Sequence, residues 1–396
     1  MRLLYISQFY YPHERGGAEI SLRILAENMA HSHKVFVFTI DKHDSEDTIS
    51  DVFVIRRYIP HLSETLFNLP AKQSKIASLK IRLSMVLASY HKKLIEELER
   101  IINEYNPDIV HLNNVVGFPL NKIYTLLKKR NIKIVQSIHD NFLLGITSTG
   151  RKIPIWHAYI ARVVSRSDVV HFPSGTMMKK FGEDISTRKI VIPNTVGKDF
   201  NEREWMNLIN RKKDEENLLR IIYVGTFSKH KGVHILSEWY VKAYETFRGR
   251  IYMTLVGDGP LRSYLEESLK DFIEKGNVQI TGWLPHEKVE CLMKDHHIVI
   301  LPSLCQETFG RVLVEGFYNG CLPIGSHWGG IPEVIGDRSL IFEDYNGFLS
   351  ILNKYFYNKD AWFEKMMDLK EHMLEFSLTS HIKKFENLYE DLLRGG

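Results

Sequence analysis

A chain of 396 residues is longer than one compact α/β core usually reaches, so two domains of about 200 residues each are expected. Apolar residues make up 44% and charged residues 25%, near the soluble average, which argues against a disordered, collagen-like or integral membrane chain. The formal charge of +4 is small for this length and the cations are interspersed with acids, so nucleic acid is not an expected partner.

Met1 to Ser7 enters an apolar β-like run at once, without the basic region, apolar stretch and cleavage site of an export signal. Short apolar, β-branched runs then recur at Leu3–Ile6, Val35–Ile40, Val52–Ile55, Ile109–Leu112, Ile132–Val135, Val169–Phe172 and Ile190–Ile192, and read as buried strands. Between them lie helical patterns, such as Leu22, Leu25, Ala26 and Met29, spaced by three and four residues on one face. Strand and helix alternate, which predicts a parallel sheet. The segment from Lys72 to Ile102 carries Leu79, Leu83, Val86, Tyr90, Leu94, Leu98 and Ile101 at near-helical spacing, with Lys75, Lys80, Arg82, Lys92 and Lys93 elsewhere. It reads as a long amphipathic helix, either packed on the core with a solvated face or touching anionic lipid with its basic one.

Residues 201 to 217 are rich in charge and lack strand character, so the domain boundary is expected near Val196 to Leu218. Beyond it the scheme repeats, with candidate strands at Ile221–Val224, Tyr252–Val256, Val278–Ile280, Ile298–Leu301, Leu322–Ile324 and Leu340–Phe342. Fold class is therefore α/β, with two Rossmann-like doubly wound parallel-sheet domains. The expected division is a first domain over 1–196, a linker over 197–217, a second domain over 218–375 and a terminal helix over 376–396. That helix carries the apolar stripe Ile382, Phe385, Leu388, Tyr389 and Leu392, which either crosses back to the first domain or packs on the second.

In parallel α/β sheets, ligands gather beyond the carboxyl ends of the strands, where loops and helix N-termini converge. The strongest motif there is Glu307-Thr308-Phe309-Gly310, after the strand Ile298–Leu301, with a second carboxylate, Glu315, eight residues beyond Glu307. If a helix begins near Phe309, the two carboxylates sit at different depths of one cleft and can each accept from hydroxyls. Free N–H groups of Thr308 to Arg311 would meet a phosphate, and Gly310 would let it approach closely. An anionic ligand with hydroxyls suits this site, although each glutamate taken alone also reads as a capping or solvated helix residue.

Other motifs fall in order along the chain. Gly16-Gly17-Ala18-Glu19 follows the first strand, Ser137-Ile138-His139-Asp140 ends another, and Pro193-Asn194-Thr195-Val196 closes the first half. Gly225, Thr226 and Lys231 lie in Tyr223-Val-Gly-Thr-Phe-Ser-Lys-His-Lys-Gly232, Gly257 in Val256-Gly-Asp-Gly-Pro260, and Gly282 and Trp283 in Ile280-Thr-Gly-Trp-Leu284. Gly329-Gly-Ile-Pro-Glu333 completes the set. A lone histidine or a Gly-Gly pair is most often structural. Together these motifs, from residue 16 to 335, resemble the retaining glycosyltransferase family 4 and its E-x7-E signature.

That resemblance implies a GT-B fold, with its two domains facing across a cleft, and transfer of a sugar from a nucleoside-diphosphate sugar with retention of anomeric configuration. It implies catalytic roles for His139, Lys231 and Glu307, with Glu307 on hydroxyls of the donor sugar and Glu315 on the ribose. It places Gly16, Gly17, Gly225, Thr226, Lys231, Gly257, Gly282, Trp283, Thr308, Phe309 and Gly310 around the donor. Most members carry arginine where this chain has Thr226, so one phosphate-binding cation is missing, for which Lys229 or Arg262 could substitute. No D-x-D pair follows a strand, so neither metal nor cofactor is expected, and Lys231 with the backbone donors replaces the metal. A glycan or lipid-linked saccharide is the expected acceptor, and an anionic membrane surface a further partner. A sugar-nucleotide epimerase and a catalytically silent nucleotide-sugar-binding protein are the alternatives.

Cys291, Cys305 and Cys321 show no C-x-x-C spacing and leave an odd count, which fits a reducing, cytoplasmic compartment. With no run of about 18 apolar residues, a position at the inner face of the membrane would be peripheral.

Overall fold

The computed structural model describes residues 1–14, 16–67, 91–139, 143–145, 151–215 and 218–395. They form two compact units, one of Met1–Ile192 with His381–Gly396 and one of Pro193–Ser380.

In the first unit the strands are β1 (Arg2–Ser7), β2 (Lys34–Ile40), β3 (Ser45–Ile49), β4 (Val52–Arg57), β5 (Ile109–Asn113), β6 (Lys133–Ser137), β7 (Val169–Phe172) and β8 (Arg188–Val191). They form one sheet in the order β3-β4-β2-β1-β5-β6-β7-β8, parallel throughout except for β3 against β4. Because strand side chains alternate between faces, Leu4 and Ile6 of β1 join one core with Leu94, Leu98 and Ile101, while Leu3 and Tyr5 join another. The second core contains Leu22, Leu25 and Met29 of the helix Gly17–Ala30, and Phe385, Leu388, Tyr389 and Leu392 of the helix Leu378–Arg394. That terminal helix therefore belongs, from His381 onward, to the first unit.

The hydropathy reading passes over β3. Its Ser-Glu-Asp-Thr-Ile run is polar and mostly exposed, as an edge strand often is. A two-residue hairpin at Ser50 and Asp51, both at positive φ, returns the chain into β4, and Arg56 and Arg57 of β4 pair with Asp47 and Glu46 across it. Of the predicted amphipathic segment, residues 72–90 lie outside the described residues. The remainder is the helix His91–Tyr105, which buries Leu94, Leu98 and Ile101 and exposes Lys92 and Lys93. No described helix is long and apolar enough to cross a membrane.

The second unit holds β9 (Leu219–Val224), β10 (Ile251–Val256), β11 (Val278–Gly282), β12 (Ile298–Leu301), β13 (Leu322–Ser326) and β14 (Ile341–Phe342), all parallel, in the order β11-β10-β9-β12-β13-β14. The predicted strand from Leu340 begins instead as a 3-10 turn, Arg338–Leu340, and extends only over Ile341–Phe342.

Residues 197–217 were expected to be a linker, but the helix Glu202–Lys213 is built into the second unit. Asn201 caps it, accepting from the Glu204 N–H at 3.2 Å. Trp205 and Ile209 are buried in the core, and the Trp205 indole donates to the Phe317 carbonyl at 2.8 Å. Lys212 is buried too, donating to the carbonyls of Met293, Asn319 and Gly320 at 3.2, 3.0 and 2.7 Å. A charge-rich sequence conceals this because its basic side chain serves as a cap for backbone carbonyls, with burial pulling the ammonium pKa down to about 8.

Candidate active site

In the second unit, the carboxyl ends of β9, β10 and β11 are tied together by backbone alone. Gly225 donates to Val256, Gly257 to Gly282, and Phe227 to Asp258, at 3.0, 2.9 and 2.9 Å. At Gly257, φ is +139° and a Cβ would come within 2.0 Å of the Gly225 carbonyl oxygen, so no side chain fits. The segment after β9 continues through exposed Thr226 and buried Phe227 into a short 3-10 turn, Lys229–Lys231, and then Gly232. Gly232 sits at φ +72°, where a Cβ would lie 1.8 Å from the carbonyl oxygen of Pro302 in the loop after β12. Leu304 in that loop donates its N–H to His230 at 2.8 Å.

These close backbone contacts bring two predicted residues together across the ends of β9 and β12. Lys231 donates to Glu307 Oε1 at 2.5 Å, and the Ser303 hydroxyl donates to the same oxygen at 2.6 Å. Both bonds fall on one oxygen, leaving Oε2 without a hydrogen bond from a described residue. Burial pulls the Lys231 pKa down, but the charge of Glu307 and its hydrogen bond more than reverse this, so the pKa is raised and the group is a cation at neutral pH. The Glu307 backbone is fixed as well, its carbonyl accepting from Gly330 N–H at 2.8 Å.

The helix after this loop is Arg311–Tyr318, with Gly310 as its N-cap at φ +101°. It starts two residues later than expected, so its free N–H end begins at Arg311, not Thr308, and Glu315 is its fifth residue. Glu315 accepts from Arg311 Nε at 2.8 Å. Phe309 turns its ring into the core, edge-on to Phe376 with centroids 5.4 Å apart, so only its backbone is left for a ligand. Trp283, just beyond β11, is 76% exposed. Of the two cations proposed to replace an arginine at Thr226, Arg262 is engaged by Glu266 at 2.8 Å and Asp258 at 3.4 Å. Lys229 makes no ion pair with a described residue.

In the first unit, Gly16 is the extended N-cap of the helix Gly17–Ala30, and a Cβ on Gly17 would meet nothing within 4 Å. Glu19 in its first turn is buried and accepts from the Asn114 amide at 2.7 Å. His139 follows β6, half-buried, its ring 5.8 Å from that of His171. Burial, followed by the charge of His381, lowers its pKa to about 4, so it is neutral at neutral pH. Asp140 of the same motif lies outside the described residues.

Beside His139 runs a buried polar row in which each proton can be assigned. His171 Nε2 meets the Ile192 carbonyl at 2.8 Å and must donate, so its Nδ1, kept neutral by burial, accepts from Ser137 Oγ at 2.7 Å. Ser137 in turn accepts from His111 Nε2 at 2.6 Å, which leaves His111 Nδ1 to accept the Tyr389 hydroxyl at 2.7 Å. Tyr389 then accepts from Tyr5 at 3.3 Å. The row docks the terminal helix on the first sheet with no charge buried.

Among the described residues, no three His, Cys, Asp or Glu side chains converge as metal ligands. Ser303, the backbone of Gly330 and the side chain of Arg311 had no assigned role in the sequence reading. The Arg311 side chain had a readable signal, its place four residues before Glu315 on a predicted helix.

Comparison with known proteins identifies the family and the fold. Residues 207–371 match the family model of glycosyl transferases group 1, and residues 15–200 that of glycosyltransferase family 4. The chain belongs to this glycosyltransferase family, and its two α/β units have the GT-B fold. An uncharacterized 42.6 kDa protein in the cps region of Klebsiella pneumoniae is 25% identical over 350 residues, covering 84% of this chain and 87% of that one. A GDP-mannose-dependent alpha-mannosyltransferase of Corynebacterium glutamicum is 23% identical over 371 residues, 88% of this chain and 76% of its own. Among solved structures, sucrose-phosphate synthase from Thermosynechococcus elongatus has a TM-score of 0.75 at 17% identity, with all of both chains covered.

Proposed function

We propose that this glycosyltransferase takes its sugar from a nucleoside-diphosphate sugar, held mainly by the second unit, and passes it with retention to a glycan or lipid-linked acceptor without a divalent metal. The observation that carries the reading is the Lys231–Glu307 pair, a fixed cation and a fixed carboxylate joined at the ends of adjacent strands. The name of the Corynebacterium relative, which specifies a nucleotide sugar, supports the donor class.

Leaving of a nucleoside diphosphate builds negative charge on its phosphates and positive charge on the anomeric carbon. Lys231 meets the first development as a cation with little freedom to reorient. Glu307, with Oε1 occupied by Lys231 and Ser303, presents Oε2 to the sugar hydroxyls. Lys229, two residues away on the same turn, is the cation left to substitute for the arginine missing at Thr226. The acceptor attacks on the face from which the diphosphate departs, and a donor phosphate oxygen takes the proton, which calls for no protein base. Turnover of His139→Ala tests whether the first unit contributes to the reaction.

The test is nucleotide release from UDP-, GDP-, ADP- and dTDP-sugars in the presence of a chelator, with Glu307→Ala as control. Release above that control, with the anomeric configuration of the product read by NMR, is the expected result. Binding without turnover on every donor and acceptor would shift the reading to a silent nucleotide-sugar-binding protein.

A further inference from the structure

Arg311 is the first residue of the helix after β12, at the same carboxyl end of the second sheet as Lys231 and Glu307. Its guanidinium has five N–H donors in a fixed plane. Nε donates to Glu315 Oε1 at 2.8 Å, and Nη2 reaches the Val196 carbonyl only at 3.5 Å. Nη1 is closed off from solvent and has no hydrogen-bond partner among the described residues. A buried, charged donor left without an acceptor is costly and rare, so it points to a group that arrives later. The contact with Glu315 is also one-sided. A forked pairing would occupy both carboxylate oxygens, whereas here Oε2 takes no hydrogen bond from a described residue.

The surrounding charges narrow the chemistry of what arrives. Lys198 pairs with Glu290 at 2.7 Å, and His286 lies 3.4 Å from the same carboxylate. The charges of Lys198 and Arg311 are thus matched by Glu290 and Glu315, so a neutral oxygen can satisfy Nη1 without a further anion.

We propose that Arg311 is a specificity-determining residue for the donor nucleoside. Its Nη1 donates to a neutral oxygen of that nucleoside, a ribose hydroxyl or a base carbonyl, while its Nε turns Glu315 so that Oε2 receives the ribose hydroxyls. This rests on the nucleotide-sugar reading of the site and names a second nucleoside contact within it.

Calorimetric titration of the full chain with UDP, UMP, GDP and GMP tests the proposal, comparing wild type with Arg311→Met, Arg311→Lys and Lys231→Met. Arg311→Met is expected to weaken the nucleotide that wild type binds by about tenfold or more. Monophosphate and diphosphate should lose by the same factor, because the contact is with the nucleoside. Lys231→Met should instead weaken the diphosphate far more than the monophosphate. Arg311→Lys keeps the charge but cannot reproduce both bonds, and should resemble Arg311→Met. It carries the comparison by itself if Arg311→Met loses its cooperative melt. The 2′-deoxy and 3′-deoxy nucleotides separate the two oxygen sources: a ribose acceptor makes one of them bind wild type and Arg311→Met alike, whereas a base carbonyl leaves the loss intact in both. Equal affinity of wild type and both Arg311 variants, or a loss confined to the diphosphate, overturns the proposal. Failure of wild type to bind any of these four nucleotides, or ADP, AMP, dTDP and dTMP in the same titration, would instead overturn the donor reading beneath it.

Discussion

Mild acid should destabilise this protein before its carboxylates titrate. His111 is buried and neutral, its pKa pulled to about 3, and burial holds His296 of the second unit at about 4. His171 and His297 are buried as well, and burial lowers them in the same direction. In the unfolded chain each would titrate near its ordinary value of about 6.5. The folded pKa lies below the unfolded one, so between them the unfolded state binds more protons, and stability falls as pH drops through 6.5 toward the folded value. At pH 5 the gap is about 1.5 units, and at 1.36 kcal/mol per unit each imidazole costs about 2 kcal/mol. His139 of the first unit is lowered to about 4 as well, so the first unit loses about 4 kcal/mol between pH 7 and pH 5 from His111 and His139, and the second about 2 kcal/mol from His296, which the raised pKa of His286 partly offsets. Glu290, lowered to about 2 mainly by its hydrogen bond with His286, contributes stability that is lost only below about 4.5, outside this window. Urea unfolding at pH 7, 6 and 5 provides the assay, with far-UV circular dichroism reading both units. Tryptophan fluorescence reads the second, which holds Trp205, Trp239, Trp283, Trp328 and Trp362 of the six tryptophans. Unfolding free energies that agree within about 1 kcal/mol at pH 7 and pH 5 would refute the assignment of these histidines as buried and neutral.

Removing the Lys231 cation as Lys231→Met should lower turnover by about a hundredfold, in line with the loss of one preorganised charge-stabilising group, and initial rates of nucleotide release would show it. A rate within threefold of wild type would remove Lys231 from the chemistry. Tyr389→Phe deletes the hydroxyl that His111 Nδ1 accepts, and should cost the first unit about 1–3 kcal/mol in urea melts, with little change in nucleotide affinity. Gly232→Ala must place a Cβ against the Pro302 carbonyl at positive φ, and should destabilise the second unit by more than about 2 kcal/mol. An unchanged midpoint for either variant would contradict the packing described.

The parallel strands were legible because burial on both faces makes them short, continuous apolar runs, as in Val35–Ile40 and Ile298–Leu301. The same rule conceals β3, whose side chains are mostly exposed and whose pairing is set by a two-residue turn and by the arginines of β4. Hydropathy likewise marks Glu202–Lys213 as solvent-facing, because it counts Lys212 as a surface charge. In the folded chain that ammonium replaces water with three carbonyls, and Trp205 supplies the burial that the helix needs.

For the candidate site, spacing located the loops but not the bonds within them. The sequence places Lys231 and Glu307 on separate strand-ends 76 residues apart, and only the strand order β9-β12 makes them neighbours. Gly232 is the residue that permits this, since any side chain there would collide with Pro302 and push the lysine turn away from the glutamate loop. Phe309 shows the converse. Its position inside the motif suggests a ligand contact, yet its ring fills the core beside Phe376, and what it contributes to the loop is a fixed backbone. A motif of this kind therefore records two demands at once. Glu307 and Lys231 answer to the ligand, while Phe309 and Gly232 answer to the packing that holds those two charges 2.5 Å apart. Substitutions at the second pair should accordingly lower activity through stability, with melting temperature and turnover falling together, whereas those at the first pair should lower turnover far more than melting temperature.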